Sequence, residues 1–184
     1  MTNAGRRMMV AVGLAAGAAG VGVAWWRGRA AGTPDGAPPP TAGSHPVWSL
    51  TLARPEGGEL ALASLRGRPL LLNFWATWCP PCVREMPEID RFARQFGPNG
   101  WQVVGIAVDQ AQPVRDFLAR NAVGYPIALA GFDGVALSRQ LGNDGGGLPF
   151  TVALDAAGKV VRKHVGETRF ETLAAWVAEM ANPR

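Results

Sequence analysis

The chain has 184 residues, 48% of them hydrophobic and 17% charged, with a formal net charge of +4 at pH 7. That balance suits one globular domain with accessory segments and excludes collagen, coiled coil and wholesale disorder. Residues 1–46 carry Arg6, Arg7, Arg27 and Arg29 against Asp35, so the remainder is nearly neutral and offers no electrostatic footprint for nucleic acid.

Residues 8–26 are uncharged, follow Arg6-Arg7, and approach the roughly 20 residues that an apolar helix needs to cross a bilayer. Residues 1–29 therefore read as a membrane anchor or, because Ala and Gly keep the stretch weakly hydrophobic, a cleaved export signal. Gly13 and Gly17 form a GxxxG spacing that so small-residue-rich a segment produces by chance. Residues 30–46, with Pro38-Pro39-Pro40, lack apolar periodicity and read as a tether. The globular domain is expected over 47–184, long enough for one core.

Within it, Trp48–Leu52 and Glu59–Leu62 flank the turn-forming Pro55-Glu56-Gly57-Gly58 and predict a hairpin. Leu70–Ala76 is a continuous apolar run, the pattern of a buried strand, and a helix is expected over Cys79–Phe96. Val103–Val108 reads as a second buried strand, Pro113–Asn121 as a helix, Ile127–Ala130 as a short strand and Gly134–Leu141 as a short helix. Thr151–Leu154 and Val160–Val165, joined by Asp155-Ala156-Ala157-Gly158, predict a second hairpin, and Phe170–Met180 a closing helix. The alternation gives an α/β domain, a mixed β-sheet flanked by helices.

The only cysteines are Cys79 and Cys82, too few for a disulfide-stapled scaffold or a four-cysteine zinc module. They sit in Trp78-Cys79-Pro80-Pro81-Cys82, where a buried strand passes into a helix. Unpaired N–H groups and the positive end of the helix dipole favour a thiolate at the first cysteine. Pro80 and Pro81 fall in the first turn, where a missing N–H is tolerated. Cys79 is the expected attacking thiol, and Cys82 the thiol that resolves the mixed disulfide. Zinc would require two further ligands, and the only histidines are His45 and His164; no metal and no cofactor is expected. A Cu(I) relay holding the ion between the two thiolates is the alternative function.

Leu72-Asn73-Phe74-Trp75-Ala76-Thr77-Trp78-Cys79-Pro80-Pro81-Cys82, followed by Glu85-Met86-Pro87, resembles the active-site region of the TlpA/ResA type of membrane-anchored thioredoxin-like proteins. Leu148-Pro149-Phe150-Thr151 resembles the segment that carries a cis proline facing the disulfide in such folds. The resemblance implies a thioredoxin-like fold and dithiol–disulfide exchange with protein substrates bearing disulfides or thiols. It also implies an envelope location with the domain on the periplasmic side, and a membrane electron donor. Trp78, Pro80, Pro81, Leu148 and Pro149 are then expected to line the substrate groove. Two positions depart from related patterns. Asn73 stands where ordinary thioredoxins carry a buried Asp, and Gly145-Gly146-Gly147-Leu148-Pro149 differs from the proline motif of the apocytochrome-reducing branch.

One further residue is singled out by periodicity. At about 100° per residue, Cys82, Met86, Ile89, Phe92 and Phe96 form one apolar stripe, and Glu85 falls within it, whereas Arg84, Glu88, Arg91 and Arg94 fall outside. Glu85 is therefore expected to be the exception among the helix's charges, an unpaired inward carboxylate with a raised pKa that exchanges protons with a thiol. His164 is expected to be an exposed strand residue, Trp75 core, and Gly145–Gly147 a flexible loop rather than a phosphate site.

Overall fold

A computed structural model describes residues 46–181; the expected anchor at 8–26, His45 and nearly all of the tether lie outside them. Among the described residues no helix is long and apolar enough to cross a membrane. The strands are β1 (Thr51–Ala53), β2 (Glu59–Ala61), β3 (Leu70–Trp75), β4 (Gln102–Ala107), β5 (Ile127–Leu129), β6 (Phe150–Leu154) and β7 (Val160–Val165). The helices are α1 (Pro80–Phe96), α2 (Ala111–Arg120), α3 (Gly134–Gln140) and α4 (Phe170–Ala181).

One seven-stranded sheet runs in the order β2-β1-β5-β4-β3-β6-β7. The β3–β4 and β4–β5 pairs are parallel, and the β3–β6 and β6–β7 pairs antiparallel. All six residues of β3 and all six of β4 are buried, as expected of strands covered on both faces. One face packs Leu71, Trp75 and Val103 against Cys82, Met86, Ile89 and Phe92 of α1 and Leu173 and Trp176 of α4. The other packs Leu70, Leu72 and Phe74 against Leu137 of α3 and the N-terminal Val47, Trp48 and Leu62. Full burial of each such side chain stabilises the fold by about 1.5–3 kcal/mol.

The expected elements are present, most with limits shifted by a residue or two and the first strand by three. The first strand does not begin at Trp48. Ser49 Oγ donates to the Pro46 carbonyl at 2.8 Å and Leu50 N to Val47 at 3.3 Å, closing a 3-10 turn that buries Val47 and Trp48; β1 starts after it. The hairpin turn follows, with Arg54 N donating to Gly58 O at 3.0 Å and Gly57 and Gly58 both at positive φ, which glycine adopts without steric cost. α2 begins at Ala111 rather than Pro113, because a proline in the first turn forfeits no helical hydrogen bond.

Parallel pairing places the C-terminal ends of β3, β4 and β5 at one edge. The antiparallel partners bring the start of β6 and the end of β7 to that same edge, where Phe150 pairs with Val165. The two-cysteine motif is therefore carried at the end of a fully buried strand.

Candidate active site

Cys79 and Cys82 are joined, with their Cα atoms 5.3 Å apart. Cys79 is the N-cap of α1, and its Sγ accepts a hydrogen bond from Cys82 N at 3.3 Å. Because Pro80 and Pro81 carry no N–H, the N–H groups of the first two helical positions are missing. Sulfur at Cys79 thus keeps the dipole of a 17-residue helix but has a reduced set of direct donors. Cys79 is 4% exposed and Cys82 not at all, so only the first sulfur is open to a partner.

The turn that presents Cys79 is fastened from below. Asp109, buried just beyond β4, accepts from Thr77 N at 3.0 Å and Thr77 Oγ1 at 2.5 Å through one carboxylate oxygen, and from Gln110 N at 2.7 Å through the other. Thr77 therefore has a positioning partner that sequence reasoning missed. An acidic residue directly after a buried apolar strand was the available signal.

Glu85 points inward and is fully buried, as its helical position predicts. It is not unpaired, which corrects the sequence expectation. Asn73 Nδ2 donates to Glu85 Oε1 at 2.7 Å, and Thr168 N donates to Oε2 at 2.7 Å. Asn73 Nδ2 also donates to Thr151 Oγ1 at 3.0 Å. Burial is the dominant influence and pushes the Glu85 pKa up from 4.5 to about 7. The donors from Thr168 and Asn73 oppose it, and the neighbouring Glu167 charge adds slightly to the rise. Asn73 thus holds Glu85 instead of leaving the position of a buried acid empty, and its Oδ1 has no partner among the described residues.

Glu85 is also not the helix's only buried charge, a second correction. Asp90 is buried because its Oδ1 accepts from Gly124 N at 2.7 Å while Oδ2 pairs with Arg94. That bond ties the turn before β5 to α1. Beside it, burial and the charges of Glu85 and Asp90 push the Tyr125 phenol above its ordinary range.

The remaining expected site residues fall around the same edge of the sheet. Trp78 is 61% exposed, Pro80 exposed and Pro81 half-buried. The Leu148–Pro149 bond is cis, as the resemblance implied, with Leu148 half-buried and Pro149 buried. Gly166 N donates to the Pro149 carbonyl at 2.8 Å, and Asn143 Nδ2 to that of Gly147 at 2.9 Å. Trp75 is core. His164, expected to be exposed, is half-buried opposite Thr151. Among the described residues, no group of three or more His, Cys, Asp or Glu side chains is placed to hold a metal ion.

The family profile described as Redoxin matches residues 34–176. The chain is 29% identical over 126 residues to a "Thiol-disulfide oxidoreductase ResA" of Bacillus cereus, covering 68% of this chain and 70% of that protein. It is 37% identical over 133 residues to a "Thiol:disulfide interchange protein DsbE" of Vibrio cholerae serotype O1, covering 68% of this chain and 67% of that protein. Among solved structures, a thioredoxin-related protein from Neisseria meningitidis serogroup B matches with a TM-score of 0.63 at 31% identity, over 72% of this chain and 99% of that one.

Proposed function

The chain belongs to the Redoxin family, within it to the TlpA/ResA type of thioredoxin-like thiol–disulfide oxidoreductases, and we propose that it works as a reductant of protein disulfides, with Cys79 attacking and Cys82 resolving. The observation that carries this reading is the asymmetry of the pair: one cysteine slightly exposed at a helix N-terminus, the other fully buried three residues before a carboxyl of raised pKa.

In the reduced protein, the Cys79 thiolate attacks one sulfur of a substrate disulfide. A mixed disulfide forms, and the substrate's other sulfur leaves as a thiolate that takes a proton. The Cys82 thiol then gives its proton to ionised Glu85 and attacks the Cys79 sulfur, expelling the second substrate thiolate. Two electrons have passed to the substrate, and the Cys79–Cys82 disulfide remains. Glu85 suits the proton transfer because its pKa of about 7 leaves both protonation states accessible near neutrality. Cys82 and Glu85, three residues apart on one helix, are neighbours on its surface. Substrate lies against Trp78, Pro80, Pro81, Leu148 and Pro149.

The reducing direction is supported by Pro80-Pro81, since a thiolate short of N–H donors is less stabilised, and weaker thiolate stabilisation makes the couple more reducing. The uncharged stretch 8–26 behind Arg6-Arg7 supports an anchor that holds the domain on the periplasmic side of the inner membrane, where a membrane donor re-reduces the disulfide. The test is turnover of insulin disulfides by the full-length chain with dithiothreitol as electron source. Reduction that disappears in Cys79→Ala supports the reading. Tight one-to-one Cu(I) binding by the reduced chain without reductase turnover would instead favour the copper relay.

A further inference from the structure

Three large apolar side chains are exposed among the described residues: Trp78 at 61%, Phe132 at 64% and Val165 at 56%. All three lie at the edge of the sheet that carries Cys79. Trp78 follows the C-terminal end of β3, Phe132 the C-terminal end of the parallel β5, and Val165 ends β7 opposite the start of β6. Every such side chain among the described residues thus falls at the edge a disulfide substrate must approach.

A Cβ added to Gly146 would lie 3.1 Å from Val135 Cγ1, one added to Gly147 would lie 3.4 Å from Val165 Cγ1, and one added to Gly145 would meet nothing within 4 Å. The glycine loop therefore lies between Val135, at the start of α3 just after Phe132, and Val165 at the end of β7, with the Arg139 guanidinium 3.2 Å from where a Gly146 Cβ would sit. Any partner whose sulfur reaches Cys79, itself only 4% exposed, must lie against this edge and so be brought to Phe132 and Val165.

Strand order sets the spacing. β5 lies two strands from β3 on one side and β7 two strands from it on the other. With strands about 4.8 Å apart, each flank is about 10 Å from the end of β3, and an extended chain covers that in about three residues at ~3.3 Å each.

We propose that Phe132 and Val165 form two apolar subsites on either side of Cys79, selecting extended polypeptides that carry a large apolar side chain about three residues before or after the reacting cysteine. This specificity rests on the exchange reaction proposed above. It adds a preference in sequence that the reacting sulfurs alone do not impose.

The test uses the reduced full-length chain and disulfide-linked Ser/Gly peptides. Each peptide carries one Leu three residues before its cysteine, three after, six away on either side, or nowhere, and a small non-peptide disulfide is assayed in parallel. The expected result is a kcat/KM about 5- to 20-fold higher for either peptide with Leu at three residues than for the Leu-free peptide, the range for partial burial of one such side chain. Phe132→Ser should remove the preference on one flank only and Val165→Ser on the other, with Phe132→Leu restoring it. Equal kcat/KM for all peptides, or preferences that survive both serine variants, would overturn the inference while leaving the exchange reaction standing. If neither the peptides nor the small disulfide were reduced, the exchange reading would fail and this inference with it.

Discussion

Glu85→Gln tests the electrostatics at the centre of the site. In the folded chain burial raises the Glu85 pKa from 4.5 to about 7. Below pH 4.5 the carboxyl is neutral in both folded and unfolded chains, and its burial carries no ionisation cost. Between about 4.5 and 7 the folded chain holds a proton that the unfolded chain releases, so stability falls as pH rises through this window and levels off above it. The loss amounts to about 3 kcal/mol at about 1.4 kcal/mol per pH unit.

Glutamine keeps the shape and cannot ionise. Its amide nitrogen would face the Asn73 donor, but the unpartnered Asn73 Oδ1 lets Asn73 reverse its amide and accept from both the introduced glutamine and Thr151. Urea unfolding of the oxidised full-length chain, followed by tryptophan fluorescence at pH 4.5, 6 and 8, measures the difference. Wild type should lose about 3 kcal/mol more than the variant between pH 4.5 and 8. The variant's thiol alkylation profile should also lose an inflection near neutrality, with slower substrate reduction. Parallel stability–pH curves would refute the assignment of a raised Glu85 pKa.

Further outcomes follow from neighbouring contacts. Equilibration with glutathione should give a potential well below the roughly −120 mV of a DsbA-like oxidant; a value near that figure would recast the protein as an oxidase. Asp109→Ala should lower stability by about 2 kcal/mol, because the half-buried Thr77 donors lose their acceptor, and urea titration checks it. Gly105→Ala should cost about 1–3 kcal/mol through overpacking, since the new Cβ would lie 2.5 Å from Ile127 Cδ1 and 3.2 Å from Trp75 Nε1; an unchanged urea midpoint would contradict that packing.

Most of the architecture was legible because burial on both sheet faces leaves strands such as Leu70–Trp75 as apolar runs, broken there only by Asn73, and because the proline pair marks a helix start. Helical period alone showed that Glu85 turns inward. Period could not show its partners: Thr168 is 83 residues away in sequence, and Asn73 reaches Thr151 across 78. The same blindness hid Asp90, whose burial depends on a backbone N–H from a turn 34 residues on. Trp48 was misread because Trp48, Leu50 and Leu52 alternate as a strand would, while a local hydroxyl bond closes a turn there instead. Distant donors at Glu85 and Asp90, and one short-range hydroxyl bond that competes with strand propensity at Trp48, are what the fold adds.

The division of labour between the two sulfurs is tested most directly by trapping. Reduced Cys82→Ala and Cys79→Ala variants of the full-length chain are mixed with a disulfide-linked substrate, and products are separated without reductant. Cys82→Ala should accumulate a mixed disulfide through Cys79, while Cys79→Ala, left with only the buried sulfur, should form none. A stable adduct through Cys82 in Cys79→Ala, or full substrate turnover by Cys82→Ala, would contradict the account.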